Sequence, residues 1–377
     1  MRVMIVVTHL LGTGHLSRAL TLARAFHAAG HPVTLVSGGM PVPHLDTDGL
    51  DLVQLPPLRS DGVSFTRLLT EDGLADETYL STRRDALVQT LQNCAPDALI
   101  CELFPFGRRV LAPEFMALLD ATATLPKRPV TLCSIRDILA PPSSEAKAQK
   151  TETIIHNHFD GVLVHSDPAM TPLEVSWPVT DRLQPLLRYT GYVAPPAAGP
   201  HPGGLGDGEV LVSAGGGAVG DHLYDTALNA AALDPSRTWR LLVGGSNRAD
   251  RIERFSSTAP ANAIVEPARP DFRQMLYHAS AISQCGYNTA LDLLQAGTPA
   301  VLVPFDDGGE VEQTLRAESL AHLPGLSLLR SGDLKAQALL NALADSDAAG
   351  RRDTGDLQFD GANETVRLTM EMVEAMG

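Results

Sequence analysis

The stretch Gln284-Cys-Gly-Tyr-Asn-Thr-Ala-Leu-Asp292 decides the fold class of this chain. The apolar run 281–283 comes before it, and Gly297-Thr-Pro299 and the apolar run 300–303 come after it. This order is typical of a buried strand, a glycine turn, a helix and a second strand of a parallel sheet. We expect Gly286 to adopt left-handed backbone angles in the turn.

The helix that follows this turn could bind an anion at its N-terminus. Asn288 or Thr289 can cap the helix, which leaves free N–H groups pointing at a ligand such as a diphosphate. Asp292 lies one turn further along, where its carboxylate could accept both hydroxyl groups of a ribose. A structural interpretation stays open, because Thr289 to Asp292 also has the spacing of a capping-box variant.

Short β-branched runs alternate with helical patterns along the chain, which predicts βα units on parallel sheets and therefore an α/β fold. The predicted strands are 3–8, 33–37, 98–101, 130–134 and 161–164 in the first half, and 209–213, 239–243, 263–265, 281–283 and 300–303 in the second. The helical patterns are 16–29, 77–94, 145–158 and 221–233, with an amphipathic last helix near 362–376.

Residues 193–208 read VAPPAAGPHPGGLGDG, with many helix and strand breakers and no apolar periodicity. We therefore predict an N-terminal domain of residues 1–195, an interdomain linker at 193–208 and a C-terminal domain of residues 209–360. The helix in residues 361–377 could cross back to the first domain. Because open parallel sheets bind ligands at the carboxyl ends of their strands, we expect the two sheets to share one cleft.

Gly12-Thr-Gly-His15 follows the first predicted strand and opens the first helix. Gly12, Thr13 and Gly14 could bring backbone N–H groups close to an anion, and His15 could take a proton from an incoming hydroxyl group. The loop is neither a GxGxxG fingerprint nor a Walker loop. A histidine that only caps the helix is the alternative, and the motif at 284–292 favours the functional interpretation.

Two other polar segments follow strands of the second half. Gly215, Gly216 and Gly217 come after strand 209–213 and allow a second close backbone approach to phosphate, with a flexible turn as the alternative. Glu312 and Gln313 come after strand 300–303 and a polar loop. An acid next to an amide suits a hydroxyl-rich ligand, and a solvated helix start is the alternative.

In the first half, charged residues follow two predicted strands. Glu102, Arg108 and Arg109 come after strand 98–101, and Arg136 and Asp137 come after strand 130–134. Arginines there could bind an anionic acceptor, and an ion-pair network is the alternative. Asp46-Thr-Asp48 has the spacing of a DxD metal motif, but it stands in a loop after the second strand, so we predict no metal site.

Composition limits the class of protein. The 377 residues suffice for two domains with their own cores, and a net charge of −15 argues against nucleic acid as a partner. The four cysteines form no CxxC pair and no zinc spacing, which indicates free thiols in a reducing cytoplasm. No apolar run reaches the ~20 residues that a membrane span needs.

QCGYNTALD, the following AGTP and the EQ pair resemble the donor-site signature of GT-B glycosyltransferases, both the plant-type HCGWNS…E…DQ box and the MurG type. GTGHLSRALTLARAF at 12–26 resembles the corresponding loop and helix of MurG-like enzymes. ELFPFGRR, SIRDILAPP, HSDP and YTGYV resemble a bacterial MurG-like group of predicted glycosyltransferases. The resemblance covers both halves and implies the GT-B fold, two Rossmann-like domains whose parallel sheets face a central cleft.

The resemblance implies a nucleotide-sugar donor, in the first place a UDP-sugar, and no cofactor or metal. Asp292 takes the place of the ribose-binding carboxylate, which is Glu in MurG-like enzymes, and Glu312 and Gln313 take the places of the pair that reads the sugar. The glycines 215–217 match the position of the family's phosphate loop. Arg269 matches the position where the family's backbone recognises uracil, and His15 matches the histidine that the family places near the acceptor. Gln284 and Tyr287 depart from the plant His and Trp.

The implied activity is an inverting hexosyl or N-acetylhexosaminyl transfer by single displacement, in bacterial cell-envelope or polysaccharide biosynthesis. The acceptor is unidentified and could be anionic, lipid-linked or a polysaccharide, which implies a cytoplasmic enzyme with peripheral membrane contact. A nucleotide-sugar hydrolase or epimerase is one alternative, since G-x-G-H-x-x-R at 12–18 also resembles the UDP-sugar hydrolase of pseudaminic acid synthesis. A non-catalytic nucleotide-sugar-binding protein is the other.

Overall fold

The structure is a computed structural model that describes residues 1–10, 13–42, 47–60, 67–215, 219–245 and 247–376. The chain divides into two compact units. Unit 1 comprises Met1–Val193 and Gln358–Gly377, and unit 2 comprises Ala194–Leu357. Each unit is built on one mostly parallel sheet with helices between its strands, so the predicted α/β class is confirmed.

The described elements follow one another along the chain as alternating strands and helices. In unit 1 they are β1 (Val3–Val7), α1 (Gly14–Ala28), β2 (Val33–Gly39), β3 (Asp51–Ser60), β4 (Leu68–Leu69), α2 (Glu77–Cys94), β5 (Ala98–Glu102), α3 (Ala112–Thr122), β6 (Val130–Arg136), α4 (Glu145–His158), β7 (Gly161–His165) and β8 (Leu187–Tyr189). In unit 2 they are β9 (Val210–Ser213), α5 (Asp221–Leu233), β10 (Trp239–Val243), α6 (Arg248–Ser256), β11 (Ala263–Pro267), α7 (Phe272–Met275), β12 (Ser280–Ser283), α8 (Tyr287–Ala296), β13 (Ala300–Leu302), α9 (Glu312–Leu320), β14 (Leu326–Leu328) and α10 (Ala336–Ala349). The last helix, α11 (Gly361–Met376), belongs to unit 1.

In unit 1 the strand order is β4-β3-β2-β1-β5-β6-β7-β8. Every pair is parallel except β3 with β4. β1 lies in the middle, and all five of its residues are fully buried because helices cover both faces of a parallel sheet. The carboxyl ends of β1, β5, β6 and β7 therefore meet at one edge.

In unit 2 the strand order is β11-β10-β9-β12-β13-β14, and all pairs are parallel. The core around this sheet contains Trp239, Tyr224 and Phe255, which are fully buried. Because β9 and β12 are neighbours in the centre, the loop after β9 and the turn after β12 lie side by side. This adjacency brings together two segments that are about 70 residues apart in the sequence.

Four strands were not predicted from the sequence. β4, β8 and β14 are edge strands of two or three residues, too short to show a hydrophobic period. β3 contains Pro56 and Pro57, which lack the N–H donor, and it lies next to the edge where a missing donor is tolerated. α1 begins at Gly14, two residues before the predicted start.

The helix α11 packs against α1 and β6. Its first residue, Gly361, lies so close to the backbone that a β-carbon there would be 2.5 Å from the Gly191 carbonyl oxygen and 2.8 Å from that of Tyr192. A glycine is therefore required where α11 joins unit 1.

We expect Gly361→Ala to lower the free energy of unfolding by about 1–3 kcal/mol, because backbone atoms must move to admit the methyl group. Gly332→Ala is the control, since nothing lies within 4 Å of a β-carbon at that position, and it should change the free energy by less than ~0.5 kcal/mol. Urea denaturation followed by circular dichroism measures both values. Equal effects of the two variants would contradict the close packing at Gly361.

Candidate functional site

In unit 1, the first turn of α1 brings a histidine to a buried carboxylate. His15 is the second residue of α1, and Glu102 is the last residue of β5, which neighbours β1. Nδ1 of His15 lies 3.0 Å from Oε1 of Glu102, and the two side chains are 13% and 2% exposed. Glu102 was predicted as an acceptor-side residue. The structure corrects this role, because the carboxylate is covered and bound to His15.

Two further donors hold the same carboxylate. Arg18 lies one turn after His15 on the same face of α1 and donates from Nη2 to Oε1 of Glu102. Ser134 on β6 donates from Oγ to Oε2 at 2.7 Å. The sequence analysis missed Arg18, although an arginine three residues after a candidate catalytic histidine on one helix face was a usable signal.

Burial and charge fix the protonation states of this pair. Burial lowers the pKa of His15 well below its usual value, and the hydrogen bond to Glu102 opposes this only in part. Burial alone would raise the pKa of Glu102, but Arg18 and the hydrogen bonds from His15 and Ser134 hold that pKa below its usual range. An ionised carboxylate only accepts hydrogen bonds, so the network assigns the proton of His15 to Nδ1 and leaves a lone pair on Nε2. Such a neutral imidazole can act as a general base.

The other predicted acceptor-side residues lie at the same sheet edge and hold local contacts. Arg108 has a left-handed backbone with φ of 58°, and its Nε donates to the Thr8 carbonyl at 2.6 Å. Nε of Arg136 donates to the Ile138 carbonyl at 3.1 Å, and Oδ1 of Asp137 accepts from the Ile138 N–H at 2.7 Å. Arg108 and Arg136 are half-buried, whereas Asp137 is buried and shapes its own loop.

In unit 2, the turn after β12 leads directly into α8. Gly286 precedes the helix with φ of −63° and ψ of 152°, so the predicted left-handed conformation is wrong. The helix begins at Tyr287 after Gly286 as its N-cap residue, so the predicted caps by Asn288 or Thr289 are wrong as well, and within the described ranges no side chain caps it. The N–H groups of the first turn thus have no acceptor within the helix. A helix start of this kind suits an anion, because first-turn N–H groups without an intrahelical acceptor and the helix dipole both favour negative charge.

The loop after β9 approaches the same helix start. Gly215 has φ of 75°, and a β-carbon there would lie 3.8 Å from Oγ1 of Thr289. The left-handed backbone requires a glycine at this point. Of the other predicted loop residues, Gly12, Asp46, Gly216 and Gly217 lie outside the described residues, and Thr13 and Gly14 are exposed at the start of α1.

Two side chains of α9 hold the turn between β12 and α8. Oε1 of Gln313 accepts from the N–H groups of Cys285 at 2.9 Å and Phe305 at 3.2 Å. Arg316 is 2% exposed, and its Nη1 donates to the Cys285 carbonyl at 3.0 Å. Gln313 therefore has a structural contact that the sequence analysis did not foresee, with its Nε2 still available to a ligand. Arg316 was missed, since its contact spans 31 residues of sequence.

Glu312, the other half of the predicted pair, is the first residue of α9 and is half-buried. Its N–H donates to Oε1 of Glu310 at 2.6 Å. Glu310 thus fixes the start of α9 and the position of Glu312.

Asp292 lies on the second turn of α8 and is paired with an arginine. Its Oδ1 accepts from Nε of Arg273 at 3.0 Å, and Nη2 of Arg273 donates to the Pro196 carbonyl at 2.7 Å and to Oε1 of Gln295 at 2.5 Å. Burial raises the pKa of Asp292 to about 6, and the charge of Arg273 opposes this shift. Within the described part of the chain Oδ2 forms no hydrogen bond, so this oxygen can still accept one from a ligand.

Arg269 follows β11, and its guanidinium binds Asp271 through Nε at 2.8 Å and Nη2 at 2.6 Å. The prediction for Arg269 concerned its backbone and stays a prediction. A cavity of about 300 Å³ adjoins this segment and is lined by Ala198, Pro270, Asp271, Arg273 and Gln274. It reaches Arg273, the partner of Asp292, and so lies next to the predicted ribose-binding carboxylate.

A larger cavity of about 540 Å³ lies at the carboxyl ends of β12 and β13 and the N-terminus of α5. Its described walls include the buried Gln284, Phe305, Asp306 and Ser331. Among the described residues, none of the predicted donor-binding residues lines this larger cavity. Gln284 does line it, and the turn that starts at Gln284 leads into α8.

Two further properties bear on the class of site. In the described ranges, no helix combines the length and apolar character that crossing a membrane requires. The same ranges contain no group of three or more His, Cys, Asp or Glu side chains placed to hold a metal ion. The four cysteines are free thiols.

Comparison with curated proteins finds bacterial relatives of one kind, although no protein-family profile matches the chain. The UDP-N-acetylglucosamine–N-acetylmuramyl-(pentapeptide) pyrophosphoryl-undecaprenol N-acetylglucosamine transferase of Rhodospirillum rubrum is 31% identical over 180 residues, 46% of this chain and 44% of the relative. The enzyme of the same name from Mesorhizobium japonicum is 25% identical over 170 residues, 43% of this chain and 45% of the relative. The chain spans less than half the length of these relatives, so the likeness is partial.

Comparison with solved structures covers the whole chain. The calicheamicin glycosyltransferase CalG4 matches 100% of this chain and 98% of its own with a TM-score of 0.65 and 18% identity. Acinetobacter baumannii MurG matches 99% and 100% with a TM-score of 0.64 and 16% identity, and glycosyltransferase VinC in complex with dTDP matches 100% of both chains with a TM-score of 0.61 and 16% identity. The predicted GT-B fold and the resemblance to MurG-like glycosyltransferases are confirmed.

We expect Gln313→Leu to lower the free energy of unfolding by about 1–3 kcal/mol, because it leaves the N–H groups of Cys285 and Phe305 without their acceptor. Gln313→Glu is the matched control. It keeps an acceptor oxygen at the same place and replaces the amide N–H₂ with a second, negatively charged oxygen, so it should retain most of the stability. Urea denaturation compares the two, and an equal loss in both would contradict the structural contact of Gln313.

Proposed function

We propose that this protein is a glycosyltransferase that moves a sugar from a nucleotide sugar to an acceptor hydroxyl group. The observation that carries the proposal is the neutral His15, which the buried Glu102 holds in one tautomer while the imidazole stays partly exposed. A histidine that only fills space needs no ionised partner. The GT-B fold and the partial likeness to N-acetylglucosamine transferases support the same class of reaction.

On the donor side, the proposal assigns the diphosphate to the uncapped N-terminus of α8 and the left-handed Gly215. Asp292 would accept ribose hydroxyl groups through Oδ2, and the cavity beside Arg273 offers space for the base. Glu312 and Nε2 of Gln313 would read the sugar. The names of the curated relatives make UDP-N-acetylglucosamine the first donor to test.

On the acceptor side, the proposal rests on charge. Arg108 and Arg136 are half-buried at the sheet edge that also carries His15, and guanidinium groups bind phosphate oxygens well. The curated relatives are named for a pyrophosphoryl-undecaprenol acceptor. A lipid-linked pyrophosphate is therefore the first acceptor class to test, and it would bring the protein to a membrane surface.

The proposed reaction is a single displacement with inversion at the anomeric carbon. Nε2 of His15 takes the proton of the acceptor hydroxyl while its oxygen forms the bond to the anomeric carbon. The bond from that carbon to the phosphate oxygen breaks, and the nucleoside diphosphate leaves with the electron pair. The N-terminus of α8, through its backbone N–H groups and the helix dipole, would stabilise the negative charge that develops on this leaving group.

We expect His15→Ala to lower kcat by about 10²- to 10⁴-fold while KM for the nucleotide sugar changes little, because the variant loses the general base and no donor contact. His27→Ala is the matched control, since His27 is exposed near the other end of α1. The assay measures UDP release from UDP-N-acetylglucosamine with and without a lipid-pyrophosphate acceptor.

The same assay separates the alternatives. Full-rate release of free sugar without an acceptor would indicate a hydrolase, in which His15 activates water instead of an acceptor hydroxyl. Tight binding with no turnover of any donor and acceptor, unchanged by His15→Ala, would contradict the enzyme proposal and indicate a binding protein.

We expect the affinity for UDP-N-acetylglucosamine to fall as the pH drops through about 6, the pKa to which burial raises Asp292. The ionised carboxylate accepts ribose hydroxyl groups, and the protonated form loses much of this capacity, by about tenfold in affinity. Asp292→Asn should bind weakly at all pH values and show no such dependence. Calorimetric titration at a series of pH values measures the affinity. The ligand is a nucleotide sugar rather than UDP, because a terminal phosphate also titrates near pH 6.

The control for this titration is Asp345→Asn, which removes an exposed carboxylate of α10 in the same unit. It should retain the wild-type pH dependence. If Asp292→Asn retained it too, the ribose contact would be wrong.

A further inference from the structure

The carboxylate of Glu102 is the centre of a longer buried chain of polar side chains. Beyond Ser134, the chain continues to His165, whose Nε2 lies 2.9 Å from Oγ of Ser134. It ends at Thr190, whose Oγ1 lies 2.9 Å from Nδ1 of His165. Because β5, β6, β7 and β8 are consecutive in the sheet, these residues form a line across its carboxyl edge. Apart from His15, every member is at most 5% exposed.

The donor and acceptor roles along this series of side-chain hydrogen bonds follow from the charge of Glu102. The Glu102 carboxylate only accepts, so the Ser134 hydroxyl must donate to Oε2 and can accept from His165. His165 therefore carries its proton on Nε2, and its Nδ1 is left as an acceptor 2.9 Å from Oγ1 of Thr190, a hydroxyl that also lies 2.8 Å from the Gly191 carbonyl oxygen. His15 carries its proton on Nδ1, so the two histidines are held in opposite tautomers by the same carboxylate.

Arg18 supplies the cation that this chain needs. A carboxylate that is almost fully buried takes up a proton unless a positive charge and hydrogen bonds compensate it. The guanidinium of Arg18, 4% exposed, donates to Oε1 of Glu102. It also lies 3.2 Å from Nδ1 of His15, which is a contact without a hydrogen bond when Nδ1 carries the proton that points to Glu102. Nδ1 is the ring nitrogen that faces away from the proposed reaction, so these contacts of Arg18 act through the pair and leave Nε2 to the substrate.

We propose that Arg18 is a positioning residue, which keeps Glu102 ionised and so holds His15 in the tautomer that can accept a proton at Nε2. In the same proposal the chain Ser134, His165 and Thr190 fixes the orientation of the Glu102 carboxylate. The inference rests on the proposed function for its catalytic meaning, but the tautomers and the charge state can be measured without any activity.

The test uses the full chain with isotope-labelled histidine, whose long-range proton–nitrogen correlation spectra distinguish the tautomers. Spectra of His15→Ala and His165→Asn assign the two sets of signals. In the wild type we expect the Nδ1–H form of His15 and the Nε2–H form of His165, both unchanged from about pH 8 to about pH 5. A His165 in the Nδ1–H form would overturn the proposed chain.

Arg18→Met is the central variant. Without the cation, the pair of His15 and Glu102 should bind a proton at a pH about 1–3 units higher, so the His15 signals shift during an acid titration in which those of the wild type stay fixed. Arg18→Lys retains the charge and should restore most of the wild-type behaviour. The groups that face this pair, besides Arg18, are Arg108, Ser134, His165 and the thiol of Cys133, whose pKa burial raises.

Two controls separate positioning from plain stability. Arg83→Lys alters another buried arginine of unit 1, which is paired with Glu114, and should leave the His15 signals unchanged. Ser134→Ala should keep the titration of His15 but let His165 exchange between tautomers, and it should lower kcat with little change in KM. This variant and Arg18→Lys keep the test decisive if Arg18→Met does not fold.

The outcomes distinguish this inference from the proposed function. If Arg18→Met folds and His15 behaves as in the wild type, Arg18 has only a structural role and the inference is wrong, whether or not transfer is observed. If the spectra behave as expected but no donor is ever turned over, the proposed function fails and the assignment of Arg18 stands.

Discussion

The buried negative charge of Glu102 is the constraint around which the site of unit 1 is built. At 2% exposure the ionised carboxylate of Glu102 is out of reach of water, so the surrounding elements supply its hydrogen-bond donors. His15 and Arg18 come from the first two turns of α1, and Ser134 comes from the next strand. The parallel sheet makes this possible, because the carboxyl ends of neighbouring strands lie at one edge. Burial keeps His15 neutral against the pull of Glu102, while its side chain stays 13% exposed.

In unit 2, the proposed anion site consists of backbone groups rather than charged side chains. Among the described residues no side chain caps the start of α8, so this helix start offers backbone N–H groups and a helix dipole rather than a charged side chain. Such a start is rigid only if the turn before it is held, and Gln313 and Arg316 bind both the N–H and the carbonyl of Cys285. In the proposed complex, the negative charge at the N-terminus of α8 is therefore that of the bound diphosphate.

The elements of both sheets could be predicted from sequence because strands such as β1 and β10 are short apolar runs between breakers, and α2, α4 and α5 carry clear helical patterns. Edge strands of two or three residues could not, since they show no period. For the candidate site, the sequence singled out His15 from its position at a helix start and Asp292 from its position one turn into the next unit's helix, and both roles stay predictions. It missed Arg273 and Arg316 because each acts through a contact with a residue 19 or 31 positions away, which local spacing does not show. Arg18 pairs with Glu102 across 84 residues, and only its position three residues after His15 pointed to it.

The contacts of Asp292 limit how the proposed nucleotide-sugar donor would bind unit 2. Asp292 already shares Oδ1 with Arg273, and Arg273 also holds the Pro196 carbonyl and Gln295. A ribose that uses only Oδ2 adds to this cluster without breaking it, and the extra hydrogen bonds favour the ionised carboxylate over the protonated one. A ribose that displaced Arg273 would instead leave a guanidinium without its anion and a carboxylate without its cation, which is costly at a covered site. The geometry therefore favours a donor that binds beside Arg273 and makes the arginine part of the ribose site.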